Sequence, residues 1–196
     1  MQATPENPVV LTLDAPLEIA RWRPLVAWLL AIPHFVVLYA LGILFGILVV
    51  VSFFTILFTT RIPPAVFGLM TMVHRYQWRA SSYALWLREP YPPFEFEPTP
   101  DDTGSDPAKV SLWYADRLSR FMPLVKWLLA LPHYFALFAL SVAGFFVLVY
   151  AFFAVLVTGR WPEGARSFLL AVTRWNLRVY AYVGLMTDVY PPFTLD

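Results

Sequence analysis

From Ile32 to Phe58 the chain runs for 27 residues without an Asp, Glu, Lys or Arg, and Leu131 to Val157 repeats that run at the same length. His34, Ser52 and Thr55 are the clearly polar side chains of the first run; His133 and Ser141 are those of the second. About 20 helical residues cover the roughly 30 Å of a bilayer's hydrocarbon, so either run can cross with tilt to spare. Burying two such helices in a soluble domain would need a large polar shell. The chain has 14% charged residues against 59% hydrophobic ones, whereas soluble domains carry about 25% charged. The fold class read from this is an all-α integral membrane protein.

The two runs belong to a duplication. Shifted by 99 positions without a gap, Leu25-Val26-Ala27-Trp28-Leu29-Leu30-Ala31-Ile32-Pro33-His34 falls on Leu124-Val125-Lys126-Trp127-Leu128-Leu129-Ala130-Leu131-Pro132-His133. At that offset Thr59, Arg61 and Pro63 meet Thr158, Arg160 and Pro162; Arg75 and Arg79 meet Arg174 and Arg178; and Tyr91-Pro92-Pro93-Phe94 meets Tyr190-Pro191-Pro192-Phe193. Recurrence separates features of the structural unit from incidental ones. The organisation that follows is a polar tail (1–12), a first membrane repeat (13–97), an acidic proline-broken linker (98–111) expected to be solvated and mobile, and a second repeat (112–196).

Each repeat reads in the same order. An amphipathic lead (17–31; 116–130) sets Arg21 and Arg23, or Arg117, Arg120 and Lys126, beside Trp28 or Trp127, a pairing suited to the headgroup layer. Pro33-His34 and Pro132-His133 then start a new helix or kink a long one. One helix from Pro24 to Thr60 would measure about 55 Å, more than the bilayer core, so a bend at the proline is expected. After a turn at Arg-x-Pro, a second helix follows (65–87; 164–186), and Tyr-Pro-Pro-Phe stops it.

The second helices hold the chain's clearest chemical signal. Arg75 and Arg79, like Arg174 and Arg178, are four residues apart and share a helix face. Gly68, Thr71 and Ser82 extend that face in the first repeat, opposite Leu69, Met70, Val73 and Ala80. An unpaired arginine deep in a span costs about 2.5–3.5 kcal/mol, so four come to roughly 10 kcal/mol, and no acidic residue lies inside the apolar runs. The stripes therefore serve as interfacial anchors, face a wet groove between spanning helices, or bind an anionic group such as a lipid phosphate. With four crossings favoured, both repeats point the same way and the basic residues place both termini in the cytoplasm.

Other chemistries find little footing. No nucleophile motif, paired carboxylates or phosphate loop occurs, and a net charge of +1 offers no nucleic-acid footprint. There is no cysteine, which excludes thiolate metal ligation and disulfides. His34, His133 and His74 could form a three-histidine site only if the repeats brought them together, and Thr173 stands opposite His74. No cofactor is expected.

The motifs Arg-x-x-Pro-Leu-x-x-Trp-Leu-Leu-Ala-[Ile/Leu]-Pro-His, Arg-x-Pro, Arg-[Tyr/Trp]-x-x-Arg and Tyr-Pro-Pro-Phe, present in both copies, resemble a family of small bacterial membrane proteins catalogued as a domain of unknown function. The resemblance implies residence in a bacterial inner membrane and brings no catalytic residues. The functional expectation is a non-enzymatic accessory or lipid-handling subunit of an envelope complex, or a homo-oligomer, contacting anionic headgroups through its paired arginines. The alternative is a small two-fold pseudosymmetric transporter or channel for an anionic or amphiphilic substrate, with its arginines along a cavity between the repeats.

Overall fold

The computed structural model describes residues 8–195. Strand β1 (Val9–Leu13) leads the first repeat, followed by helices α1 (Arg23–Leu30), α2 (Ile32–Thr59) and α3 (Pro64–Ala84). Strand β2 (Ala108–Leu112) leads the second, followed by α4 (Met122–Leu129), α5 (Leu131–Thr158) and α6 (Glu163–Val183). Only α2 and α5, with α4 continuing into α5, are long and apolar enough to cross a membrane among the described residues. The fold is thus mostly helical, but not all-α.

Local chemistry fixes the boundaries. Ala31 closes α1 and opens α2, and Ala130 does the same for α4 and α5. The break falls there because Pro33 and Pro132, in the first turn of the long helices, have no N–H to continue the preceding ladder. Both long helices end on a left-handed residue, Thr60 (φ 61°) and Gly159 (φ 70°). The arginine-bearing helices close alike: Leu87 N–H donates to Ser82 O and Met186 N–H to Ala181 O, with Trp86 and Leu185 left-handed between. This six-to-one bond satisfies a terminal carbonyl.

The lead helices are shorter than expected because the residues before them are held by the other repeat. Ile19 N–H donates to Gly159 O and Trp161 N–H to Leu17 O. Reciprocally, Leu118 N–H donates to Thr60 O, and the Tyr114 hydroxyl donates to Ile62 O. Extended backbone committed to these bonds cannot also wind into helix.

The two strands pair antiparallel, with Leu11 opposite Val110, Val9 opposite Leu112 and Leu13 opposite Ala108. Leu11 and Val110 are themselves equivalent at the 99-residue offset. A pseudo-two-fold axis therefore passes through this pair, and the sheet that joins the repeats is also their symmetry element. The end of α5 meets the start of the first lead, and the end of α2 meets the start of the second. This axis stands across the sheet, so the repeats are reversed within its plane and share one direction along the axis.

Three layers result. The sheet and the segment before β2 form a polar cap, α3 and α6 lie beneath it, and α2 and α5 form the far layer. Helix α3 shows the order: Trp78 Nε1–H donates to Thr12 O at 3.0 Å on the cap side. On its other side His74 packs edge-on to Phe45, and Met70 accepts from the Ser52 hydroxyl. The segment expected to be a mobile linker is instead folded: Val110 is fully buried, and the Asp102 and Asp106 side chains are 2% and 5% exposed. Asp102 and Asp106 face the cations that the sequence left unmatched, and that pairing orders it.

Candidate functional site

The arginine face of α3 is where this ordering is achieved. Arg75 Nε lies 3.2 Å from Asp102 Oδ2, while its terminal nitrogens donate to the carbonyls of Glu97 and Thr99 and to the Thr99 hydroxyl. Arg79 donates to Asp102 Oδ1 at 3.0 Å and to Glu95 Oε2 at 2.8 Å. Arg88, directly after α3, pairs with Asp106 Oδ1, which also accepts from Ala108 N–H. One carboxylate thus bridges two guanidinium groups at successive helix turns. Burial lowers the Arg75 pKa and Asp102 raises it against that; a guanidinium so paired stays charged.

Close approach of the cap depends on Gly68. A Cβ there would land on the carbonyl of Pro98, so the helix lets the backbone of the cap lie directly on it. Beside Arg75 and Arg79 remains a polar cleft of about 20 Å³, also lined by Thr99, Asp101 and Gly104.

The second repeat solves the same problem with different partners. Arg174 Nε donates to Leu11 O at 3.1 Å, joining α6 to the sheet. Arg178 is buried and is not left without an interaction. Arg166 donates to the carbonyls of Pro16 and Ala15, and Lys126, 1% exposed, holds Asp188 at 2.8 Å and Thr187 O at 2.7 Å.

The Pro-His and Tyr-Pro-Pro-Phe motifs meet in both repeats. His34 is fully buried, stacked on Phe94 (4.4 Å, 12°), flanked by Tyr91, and hydrogen-bonded through Nδ1 to the Tyr76 hydroxyl at 2.7 Å. His133 stacks on Phe193 (4.0 Å, 11°), with Tyr190 beside it, and accepts from Trp175 Nε1–H at 3.0 Å. Tyr91 and Tyr190 bond back to Leu30 O and Leu129 O, the last carbonyls of the lead helices. Each motif is a clasp that folds the segment after the arginine helix onto the start of the long one. The three histidines lie in separate aromatic surroundings, and no group of three metal-ligating residues forms among the described residues.

The opposite layer is apolar and open. Tyr39, Ile47, Phe54 and Phe58 on α2, and Phe135, Phe138, Phe145 and Phe153 on α5, are all more than half exposed. Trp28 and Trp127 stand out from the lead helices at 53% and 59%. Arg21, Arg61, Arg117 and Arg120 are exposed at the two ends of the long helices, as is Arg160, loosely paired with Glu18.

Sequence reasoning brought the arginine pairs to one face correctly and missed their carboxylates. Asp102, Asp106 and Glu95 lie 16 to 27 residues from the arginines they pair with, in a segment whose composition reads as solvated loop. The available signal was stoichiometric: buried cations without local anions must draw them from the nearest acidic segment.

These features define a class: a duplicated helical protein with an apolar layer, an ion-paired cap and a pseudo-two-fold axis. The chain belongs to the DUF4389 family, a domain of unknown function, whose profile matches residues 21–95 and 123–194, one match per repeat. No curated protein and no solved structure matches it significantly.

Proposed function

We propose that this chain is a non-enzymatic protein of the bacterial cytoplasmic membrane, acting as an accessory or lipid-handling subunit of a larger envelope assembly. The observation that carries the reading is the two-sidedness of the molecule. Its long helices offer a continuous apolar face whose large side chains stand open, while the buried Arg75 and Arg79 on the other side are ion-paired within the chain. Exposed apolar surface on that scale marks a contact with lipid or with other membrane proteins.

In this reading the paired arginines are structural. They fasten the cap to the apolar layer, and contact with anionic headgroups passes to the exposed arginines at the helix ends. A transporter would need arginines along a wet cavity between the repeats; Arg75 and Arg79 are instead closed off by the cap, which favours the accessory role.

The test is fractionation followed by native mass spectrometry of the purified chain. The reading expects the protein in carbonate-washed membranes, with anionic phospholipid retained and then lost when Arg21, Arg61 and Arg117 are changed to Gln. Arg75→Gln should lower stability first. A chain released by the carbonate wash, or lipid retention that depends only on Arg75 and Arg174, would overturn it.

A further inference from the structure

We infer that the apolar layer docks into a single leaflet, with α2 and α5 lying in the membrane plane and the pseudo-two-fold axis along the membrane normal. The inference rests on the membrane reading above and specifies how that surface meets its partner, a leaflet with anionic headgroups.

The argument starts from level. The α3 face toward α2 meets it at Ser52 through Met70, at Phe45 through His74 and at His34 through Tyr76. The opposite face of α3, over the same stretch, carries the cap: Pro98 against Gly68, Thr99 on Arg75 and Asp102 on Arg79. The cap therefore runs beside the middle of α2, one helix removed. Glu97, Asp101, Thr103 and Ser105 are exposed on its outer side.

Were α2 to stand along the membrane normal, that outer side would sit at hydrocarbon depth. Two exposed carboxylates there would cost about 2.5–3.5 kcal/mol each on insertion scales. The non-helical backbone of the cap would also face lipid, where irregular chain is not tolerated. Turning the molecule so that its layers parallel the membrane removes both conflicts at once. The cap then faces water, and α2 and α5 immerse side by side. A helix with its side chains is about 10–12 Å across, which fits the roughly 15 Å of hydrocarbon in one leaflet.

Charge placement agrees. The antiparallel repeats put Arg21 and Arg160 at one end of the long helices and Arg61, Arg117 and Arg120 at the other. A spanning orientation would divide these cations between both sides of the membrane, against the usual one-sided bias. Lying flat, the molecule sets all of them in the headgroups of one leaflet, with Trp28 and Trp127 at the same rim.

The native chain has no cysteine, so single-cysteine variants report directly. Arg21→Cys, Arg61→Cys and Ser105→Cys would each be expressed in cells and treated with a membrane-impermeant maleimide before and after permeabilisation, with the chain recovered from carbonate-washed membranes. The in-plane arrangement expects one shared pattern, all three reactive from the same side. Opposite-side labelling of Arg21→Cys and Arg61→Cys in washed membranes would overturn it while leaving the membrane reading intact. Recovery of the chain in the wash would overturn the membrane reading itself, and this inference with it.

Discussion

Replacing Asp102 by Asn should detach the cap from α3. The side chain is 2% exposed, and its two oxygens serve Arg75 at 3.2 Å and Arg79 at 3.0 Å, with Val110 N–H donating to Oδ2 at 3.3 Å. Asn keeps the volume but removes the charge and turns an N–H donor toward one of the two guanidinium groups. Removing one partner of a buried ion pair costs about 3–5 kcal/mol. Arg79 keeps Glu95 at 2.8 Å, and Arg75 keeps the Thr99 carbonyl at 2.9 Å, so the lower end, about 3 kcal/mol, is expected. That is roughly a hundredfold in the opening equilibrium of the cap. Hydrogen exchange of residues 97–112 in micelles, read beside a urea unfolding curve, gives both local and global values. Asp101→Asn, on an exposed neighbour, is the control and should stay within about 0.5 kcal/mol of wild type. If the two variants exchange and unfold alike, Asp102 is not what holds the cap.

Gly68→Ala should also lift the cap, because its Cβ meets the Pro98 carbonyl; faster exchange at 97–107 and a stability loss of about 1–3 kcal/mol are expected. Gly42→Ala, with open space around the added methyl, should instead stabilise α2 by up to about 1 kcal/mol. Phe94→Ala and Phe193→Ala each remove the ring stacked on a buried histidine and should cost about 1–2 kcal/mol in unfolding experiments. Exchanging the residues that end the long helices should act in opposite directions: Thr60→Gly relieves a left-handed threonine and raises the unfolding midpoint, whereas Gly159→Thr adds that strain at φ 70° and lowers it.

What could be read in the sequence follows the range over which each signal acts. The long helices, the proline boundaries and the shared arginine face are periodic and local, so they could be placed from the chain alone. The histidine clasp was visible only as two motifs recurring together; nothing in the spacing of Pro33-His34 and Tyr91-Pro92-Pro93-Phe94 indicated that they touch. Strand β1 was hidden in a tail that looks polar, since Val9 and Leu11 alternate with exposed Val10 and Thr12 over five residues. Its partner lies 99 residues away, and only the pairing of equivalents explains either strand. The relation between the repeats depends on that same contact, which no count of basic residues reveals. The buried carboxylates were lost because acidity and proline in a linker ordinarily mean solvation, and no local rule tells Asp102 from exposed Asp101.

The in-plane orientation is tested most directly by the depth of α2 along its own length. Spin labels at Tyr39, Ile47 and Phe54, all on the open face of one helix, would be read by collisional relaxation with oxygen and with a water-soluble nickel chelate in bilayers containing anionic phospholipid. An α2 lying in one leaflet predicts three nearly equal depths below the headgroups. A profile deepest at Ile47 and rising toward both Tyr39 and Phe54 would mean that α2 spans the bilayer, and would contradict the account.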